Sequence, residues 1–315
     1  MPSKKILVIV GPTASGKTRM AVELAKAHNG EVVSADSMQI YRRMDIGTAK
    51  PTAEEMDGVP HHMIDVADPE EDFSVARYVE MASTCVDDIL ARGKLPIVAG
   101  GTGLYVDSLL SGRTFAAFSP DSSLRKELEA ELAERGGEAM LAELSRVDLE
   151  AAARLHPNDH KRIVRALEVF QQTGKTISQH NRETRALSPR YDALTLSLAF
   201  QRREDMWARI DRRVDEMMAA GLAEEVRALL DSGVPVRCTA MQAIGYKEMA
   251  AALRGGGDVC AAAEEIKLRS RQYAKRQLTW FRRTEGAKWL FWGPEPDFEA
   301  ACRTSTKYLE EFGLV

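Results

Sequence analysis

Gly11 to Thr18 reads GPTASGKT: a glycine, four residues, then Gly-Lys-Thr. This is the spacing of a phosphate-binding loop. Backbone N–H groups converge on an anion, a lysine ammonium sits on it, and the last hydroxyl can hold a divalent cation. Gly11 and Gly16 would let the backbone approach, with Pro12, Thr13, Ala14 and Ser15 between them. Lys17 would be the fixed cation and Thr18 the metal ligand. The loop calls for a di- or triphosphate but not for a particular one.

Other residues could work beside it. Asp36 ends an apolar run, where it could face a bound ligand, hold a metal-bound water or cap a helix. Gly100-Gly101-Thr102-Gly103 follows another apolar run and offers close backbone approach with one hydroxyl, or merely a turn. Arg209 and Arg213 are four residues apart on one helix face, an anion clamp unless they pair with Asp205, Asp211 or Glu216. Ile266 to Arg283 holds Lys267, Arg269, Arg271, Lys275, Arg276, Arg282 and Arg283 and no acid. Such a stripe suggests a nucleic-acid backbone, against the plainer reading of a solvated face. His61 and His62 are adjacent, so on a strand they point to opposite faces and make a poor metal pair.

The elements that must position these groups are legible. Lys5 to Val10 (KILVIV) reads as a buried strand, and Lys17 to His28 as a helix stopped by Asn29-Gly30. Glu31 to Ser37 is a second strand carrying Asp36 at its end, and Lys94 to Ala99 a third. In an open parallel sheet, ligands sit outside the carboxyl ends of the strands, so the loop and Asp36 should face one crevice. Phe73 to Arg92 reads as a helix between them. From Pro120 to Pro189 there is no strand-like run. The spacing predicts helices over Leu124 to Glu134, Glu138 to Leu144, Asp148 to His156 and Asn158 to Thr173, with Asp121 as a cap. The α/β pattern then returns with a strand over Ala193 to Phe200 and an amphipathic helix over Arg203 to Leu230 that breaks at Gly221. A loop enters a helix over Arg237 to Leu253, a last strand covers Lys288 to Trp292, and a helix covers Phe298 to Phe312. The expected fold is α/β: a phosphate-loop type of parallel-sheet core in two parts, residues 1–119 and 190–315, with an all-helical insertion over 120–189.

Net charge is -4, so any nucleic-acid site must be a local basic patch. Cys85, Cys238, Cys260 and Cys302 show no paired spacing, which argues for a reducing cytosol over a zinc module or a disulfide framework. No leader-like segment and no apolar run of membrane-spanning length is present, so the expectation is a soluble cytoplasmic protein.

The assembled segments resemble the bacterial tRNA dimethylallyltransferases, also called tRNA isopentenyltransferases. The resemblance rests on GPTASGKT at Gly11, ADSMQIYRRMDIGTAKP at Ala35, GVPHHMID at Gly58 and FSVARY at Phe73. It continues through PIVAGGTGLY at Pro96, RALEV at Arg165, MQAIGYKE at Met241 and YAKRQLTWFRR at Tyr273. It implies a P-loop NTPase-like core and transfer of a dimethylallyl group from dimethylallyl diphosphate to the exocyclic N6 amine of the adenine 3′ to the anticodon. It implies Mg²⁺ as cofactor, tRNA and the diphosphate as partners, no membrane, and a monomer. On the resemblance Asp36 is the general base. Asp36, Ser37, Met38, Gln39, Thr102, Arg125, Lys161, Arg162, Ile163, Val164, Arg165, Arg237, Arg271, Lys275 and Arg276 match RNA-contacting positions. Competing readings are a prenyltransferase on free adenine nucleotides, a small-molecule kinase with the same loop, and a non-catalytic RNA-binding NTPase switch.

Overall fold

The computed structural model describes residues 4–112, 122–185 and 188–315. In chain order its strands are β1 (Lys5–Val10), β2 (Gly30–Ser34), β3 (His61–His62), β4 (Leu95–Gly100), β5 (Asp192–Phe200) and β6 (Lys288–Trp292). Its helices are α1 (Lys17–Ala27), α2 (Ala53–Met56), α3 (Val75–Ala91), α4 (Gly103–Leu110), α5 (Ser122–Val147), α6 (Leu149–Ala152), α7 (His160–Thr173), α8 (Ile177–Arg185), α9 (Arg203–Ala219), α10 (Leu222–Asp231), α11 (Tyr246–Gly255), α12 (Val259–Phe281) and α13 (Phe298–Phe312). The chain divides into two compact units, residues 1–110 with 190–315, and residues 111–189. The expected insertion began at 120; the division falls earlier, at Ser111. The expected cap Asp121 lies outside the described residues.

The first unit is built on one six-stranded sheet in the order β3-β2-β4-β1-β5-β6, with every pairing parallel. β1 lies inside it, Val8 paired with Val98 on one side and Thr195 on the other. Ile6 to Val10 are buried without alternation, as a parallel strand covered on both faces requires. Leu7, Ile97 and Leu196 form a core with Met20 and Leu24 of α1 and with Phe298 and Leu309 of α13. A second core joins Ile40 and Met44 to Val214, Val226, Tyr246 and Ile266 of the later helices. Because all strands run the same way, the segments leaving β1, β2 and β4 emerge on one edge. The second strand is shorter than the sequence pattern suggests, ending at Ser34, so Asp36 sits in the turn beyond it.

The second unit is helical. Leu128, Met140, Leu144, Ile163 and Leu167 form its core. Gly136, at φ 79, kinks α5 where two helices were expected. Gly174 ends α7 in the left-handed conformation. Among the described residues no helix is long and apolar enough to cross a membrane.

Candidate active site

The loop between β1 and α1 is held in shape from several sides. Gly16 caps α1 at φ 81, and a Cβ there would come within 2.6 Å of the Phe298 ring, so only glycine fits. Buried Gln277 of α12 bridges two strand ends: its Oε1 accepts the Thr13 N–H at 2.8 Å and its Nε2 donates to the Gly101 carbonyl at 2.9 Å. Trp292 Nε1 donates to the Ser15 carbonyl at 2.9 Å. The loop is therefore preformed and need not be ordered by its ligand.

Cations converge on it. Lys17 Nζ donates to the Pro12 carbonyl at 2.8 Å, Arg209 Nε to the Ala14 carbonyl at 3.3 Å, and Arg213 Nη1 to Thr13 Oγ1 at 3.3 Å. Burial and the Arg213 guanidinium push the Lys17 ammonium down to about 8. Burial likewise lowers Arg209 and Arg213. Positive groups crowded enough to depress one another suit the binding of a polyanion.

Asp36 stands across from them. Its Oδ1 accepts the Met38 N–H at 2.9 Å and the Gln39 N–H at 3.4 Å, which fixes the carboxylate on its own turn. Thr102 supports the same turn. Its N–H donates to the Ala35 carbonyl at 3.1 Å, and its Oγ1 accepts the Ser37 N–H at 3.0 Å. Tyr273 borders both cavities near Asp36, and burial together with the Asp36 charge pushes its phenol up to about 12. It is a neutral hydroxyl at physiological pH.

Two adjoining cavities meet at Asp36. One, of about 540 Å³, is lined by Thr13 to Thr18, Arg209 and Arg213. The other, of about 310 Å³, has Met38, Ile210, Val214, Met217, Ile244 and Ile266 in its wall. Asp36, Thr13, Thr48, Arg213, Met217 and Tyr273 border both. A polyanion on the loop would thus place an attached apolar group within reach of a carboxylate.

The segment from Met38 to Lys50 covers these cavities. Glu225 of α10 holds it, accepting the N–H groups of Asp45 and Ile46 at 2.8 Å each and of Gly47 at 3.2 Å, together with the Tyr246 hydroxyl at 2.5 Å. The sequence reading missed Glu225, Gln277 and Tyr273. Only the helical spacing of Tyr273 and Gln277 from Arg276 and Trp280 hinted that one face of α12 turns inward.

The expected site residues separate into groups. Gly11 to Thr18, Asp36, Ser37, Met38, Gln39, Arg209, Arg213 and Arg276 gather at the two cavities, with Gly11 and Pro12 buried beneath the loop. Arg237 and Lys275 are exposed and line neither. Arg271 is tied to Asp211 by two bonds of 2.7 and 2.8 Å. In the helical unit Lys161 and Arg162 are exposed, as a nucleic-acid contact requires. The Ile163 and Val164 side chains lie in that unit's core, on the inward face of amphipathic α7. Arg125 and Arg165 both donate to Glu168 Oε2 at 2.7 Å. Against the push of burial, these two bonds hold the Glu168 carboxyl below its usual range.

The comparisons with known proteins agree along the chain. Residues 39–284 match the family model for IPP transferase, and residues 4–72 that for isopentenyl transferase. The chain is 46% identical to a tRNA dimethylallyltransferase of Acetivibrio thermocellus, covering 98% of each. It is 49% identical to that of Geobacter sulfurreducens, over 91% of each. Among solved structures it is similar to the full-length tRNA isopentenylpyrophosphate transferase of Bacillus halodurans, at 42% identity and TM-score 0.72 over 98% of each chain. It is also similar to a eukaryotic dimethylallyltransferase acting on tRNA, at 30% identity and TM-score 0.82, over 98% of this chain and 78% of that one. With a matched core, a matched loop and full-length relatives, this chain belongs to the tRNA dimethylallyltransferase (IPP transferase) family.

Proposed function

We propose that this enzyme transfers a dimethylallyl group from dimethylallyl diphosphate to the exocyclic N6 amine of the adenine 3′ to the anticodon in tRNA. The observation that carries the reading is Asp36 on the border between a cationic cavity and an apolar one. The diphosphate binds on Gly11 to Thr18, and the dimethylallyl group points into the apolar cavity, where the base arrives. The target adenine must leave its stack, which is cheapest in a single-stranded loop. An aryl amine is a weak nucleophile. As its nitrogen bonds to the allylic carbon, the carbon–oxygen bond to diphosphate breaks and Asp36 takes the amine proton, a contribution worth about a hundredfold or more. Lys17, Arg209, Arg213 and the loop N–H groups meet the charge on the leaving diphosphate.

The donor set also fits Mg²⁺. That ion keeps several waters and takes only one or two protein oxygens beside substrate phosphates. Thr18 and Asp36 border the same cavity, and among the described residues no cluster of three or more His, Cys, Asp or Glu offers a fuller cage. The Thr18 hydroxyl would hold the ion, with Asp36 facing it. Bound there, Mg²⁺ would neutralise charge on the departing diphosphate.

Asp36→Asn keeps the shape and removes the base. The expected result is a fall in kcat of about a hundredfold or more with donor affinity little changed, read by transfer kinetics and calorimetry. Collapse of donor and Mg²⁺ binding with saturated turnover intact would make Asp36 a metal ligand instead of a base.

A further inference from the structure

The two halves of α12 differ in what their cations do. Lys267, Arg269 and Arg271 each hold an acid: Asp215 and Glu264, Glu265, and Asp211 respectively. Lys275 and Arg276, with Arg282 and Arg283 just past the end of α12, are exposed and, among the described residues, form no ion pair. In this second half stands Trp280, 39% exposed.

A single exposed apolar side chain is ordinary on a surface. Three observations set this one apart. The indole is pinned: Nε1 donates to Asp107 Oδ2 of α4 at 2.9 Å, and its pyrrole side lies over Gly103, where a Cβ would come within 2.4 Å. It stands among cations that form no ion pair with the described residues, Arg276 lying over the Tyr273 ring. It also continues the helix face that builds the active site. Tyr273, Gln277 and Trp280 follow helical spacing, with Tyr273 in the cavities and Gln277 on the loop. Trp280 lies about 5 Å beyond Gln277 and about 10 Å beyond Tyr273 along the axis. Exposed Leu104, next to Gly103, extends the apolar patch.

We propose that Trp280 is a stacking platform for the nucleobase that adjoins the target adenine. This rests on the tRNA reading above. When the adenine swings into the cavity, its neighbour loses a stacking partner, and a fixed indole one helical turn beyond the cavity-lining Gln277 can replace it. Because the ring is already immobilised, little side-chain entropy is lost on binding. The unpaired cations hold the flanking phosphates, and every base offers a face to an indole, so the platform sets position without reading sequence.

The test uses the full-length enzyme and an anticodon stem-loop RNA, intact or made abasic on either side of the target adenine. Filter binding is measured for wild type, Trp280→Ala and Trp280→Phe. Trp280→Ala should weaken binding of the intact RNA about tenfold, and Trp280→Phe less, while donor affinity holds. On the RNA lacking the stacked base, wild type should fall to the level of Trp280→Ala, and the substitution should cost nothing more. An equal loss on all three RNAs, or no loss on any, overturns the proposal. If Trp280→Ala does not fold, Trp280→Phe carries the same comparison. Failure of the wild-type enzyme to bind the stem-loop at all would remove the tRNA reading itself, and the platform with it.

Discussion

Lys17 shows how a residue can be poised for a ligand by being made uncomfortable without it. Removed from bulk water and facing Arg213, its ammonium is pushed from 10.5 down to about 8. A bound diphosphate reverses both causes, since it supplies the counter-charge. The sign follows. Below about pH 8 the free enzyme already carries the ammonium, so binding moves no proton there. Between that value and the ordinary 10.5 the free enzyme has lost it, and diphosphate binding must restore it. Donor affinity should therefore fall as pH rises through about 8, with uptake of one proton by Lys17 in that window. Calorimetry in buffers of differing ionisation enthalpy measures the uptake, and Lys17→Met should abolish it. A pH-independent affinity in the wild type would mean that Lys17 does not face the diphosphate. The loop residues were legible from sequence because the motif encodes backbone geometry directly. Gln277 was not, because a buried glutamine that joins Thr13 to Gly101 leaves no local pattern.

At the scale of elements, α12 was read as one uniform basic stripe. The structure divides it. Charges in the first half are spent on Asp211, Asp215, Glu264 and Glu265, acids from α9 and from its own first turns. The stretch from Ile266 to Arg283 holds no acid, and that is what made it look free; the neutralising groups come from packing, which one segment's composition does not show. The ion pair in which Arg271 Nη1 donates to both Asp211 oxygens must be broken before the guanidinium can serve a phosphate. Arg276→Ala should accordingly raise the KM for tRNA and reduce the slope of log K against log salt by about one unit. Arg271→Ala should change that slope by much less. Equal slopes for Arg276→Ala and wild type would rule out the exposed half of α12 as a phosphate-binding face. Strand boundaries fared differently. β1 and β5 were plain as apolar runs, whereas β3, two residues on the sheet edge, has no run to see.

Across the whole molecule, the division into an α/β unit and a helical unit was visible because short continuous apolar runs alternate with helical spacing in the first, while the second shows helical spacing alone. What the pattern could not give was which charged residues of the helical unit remain available. Arg125 and Arg165 converge on buried Glu168, leaving Lys161 and Arg162 as exposed cations of α7. The α/β unit alone assembles the loop, Asp36 and both cavities. The most direct test of the account offers the enzyme labelled dimethylallyl diphosphate with bulk tRNA and free adenosine monophosphate together. Label should enter the RNA, on the exocyclic amine of the adenine 3′ to the anticodon, and leave the mononucleotide unlabelled. Label in the mononucleotide with none in RNA, or steady hydrolysis of ATP or GTP with no transfer, would contradict it.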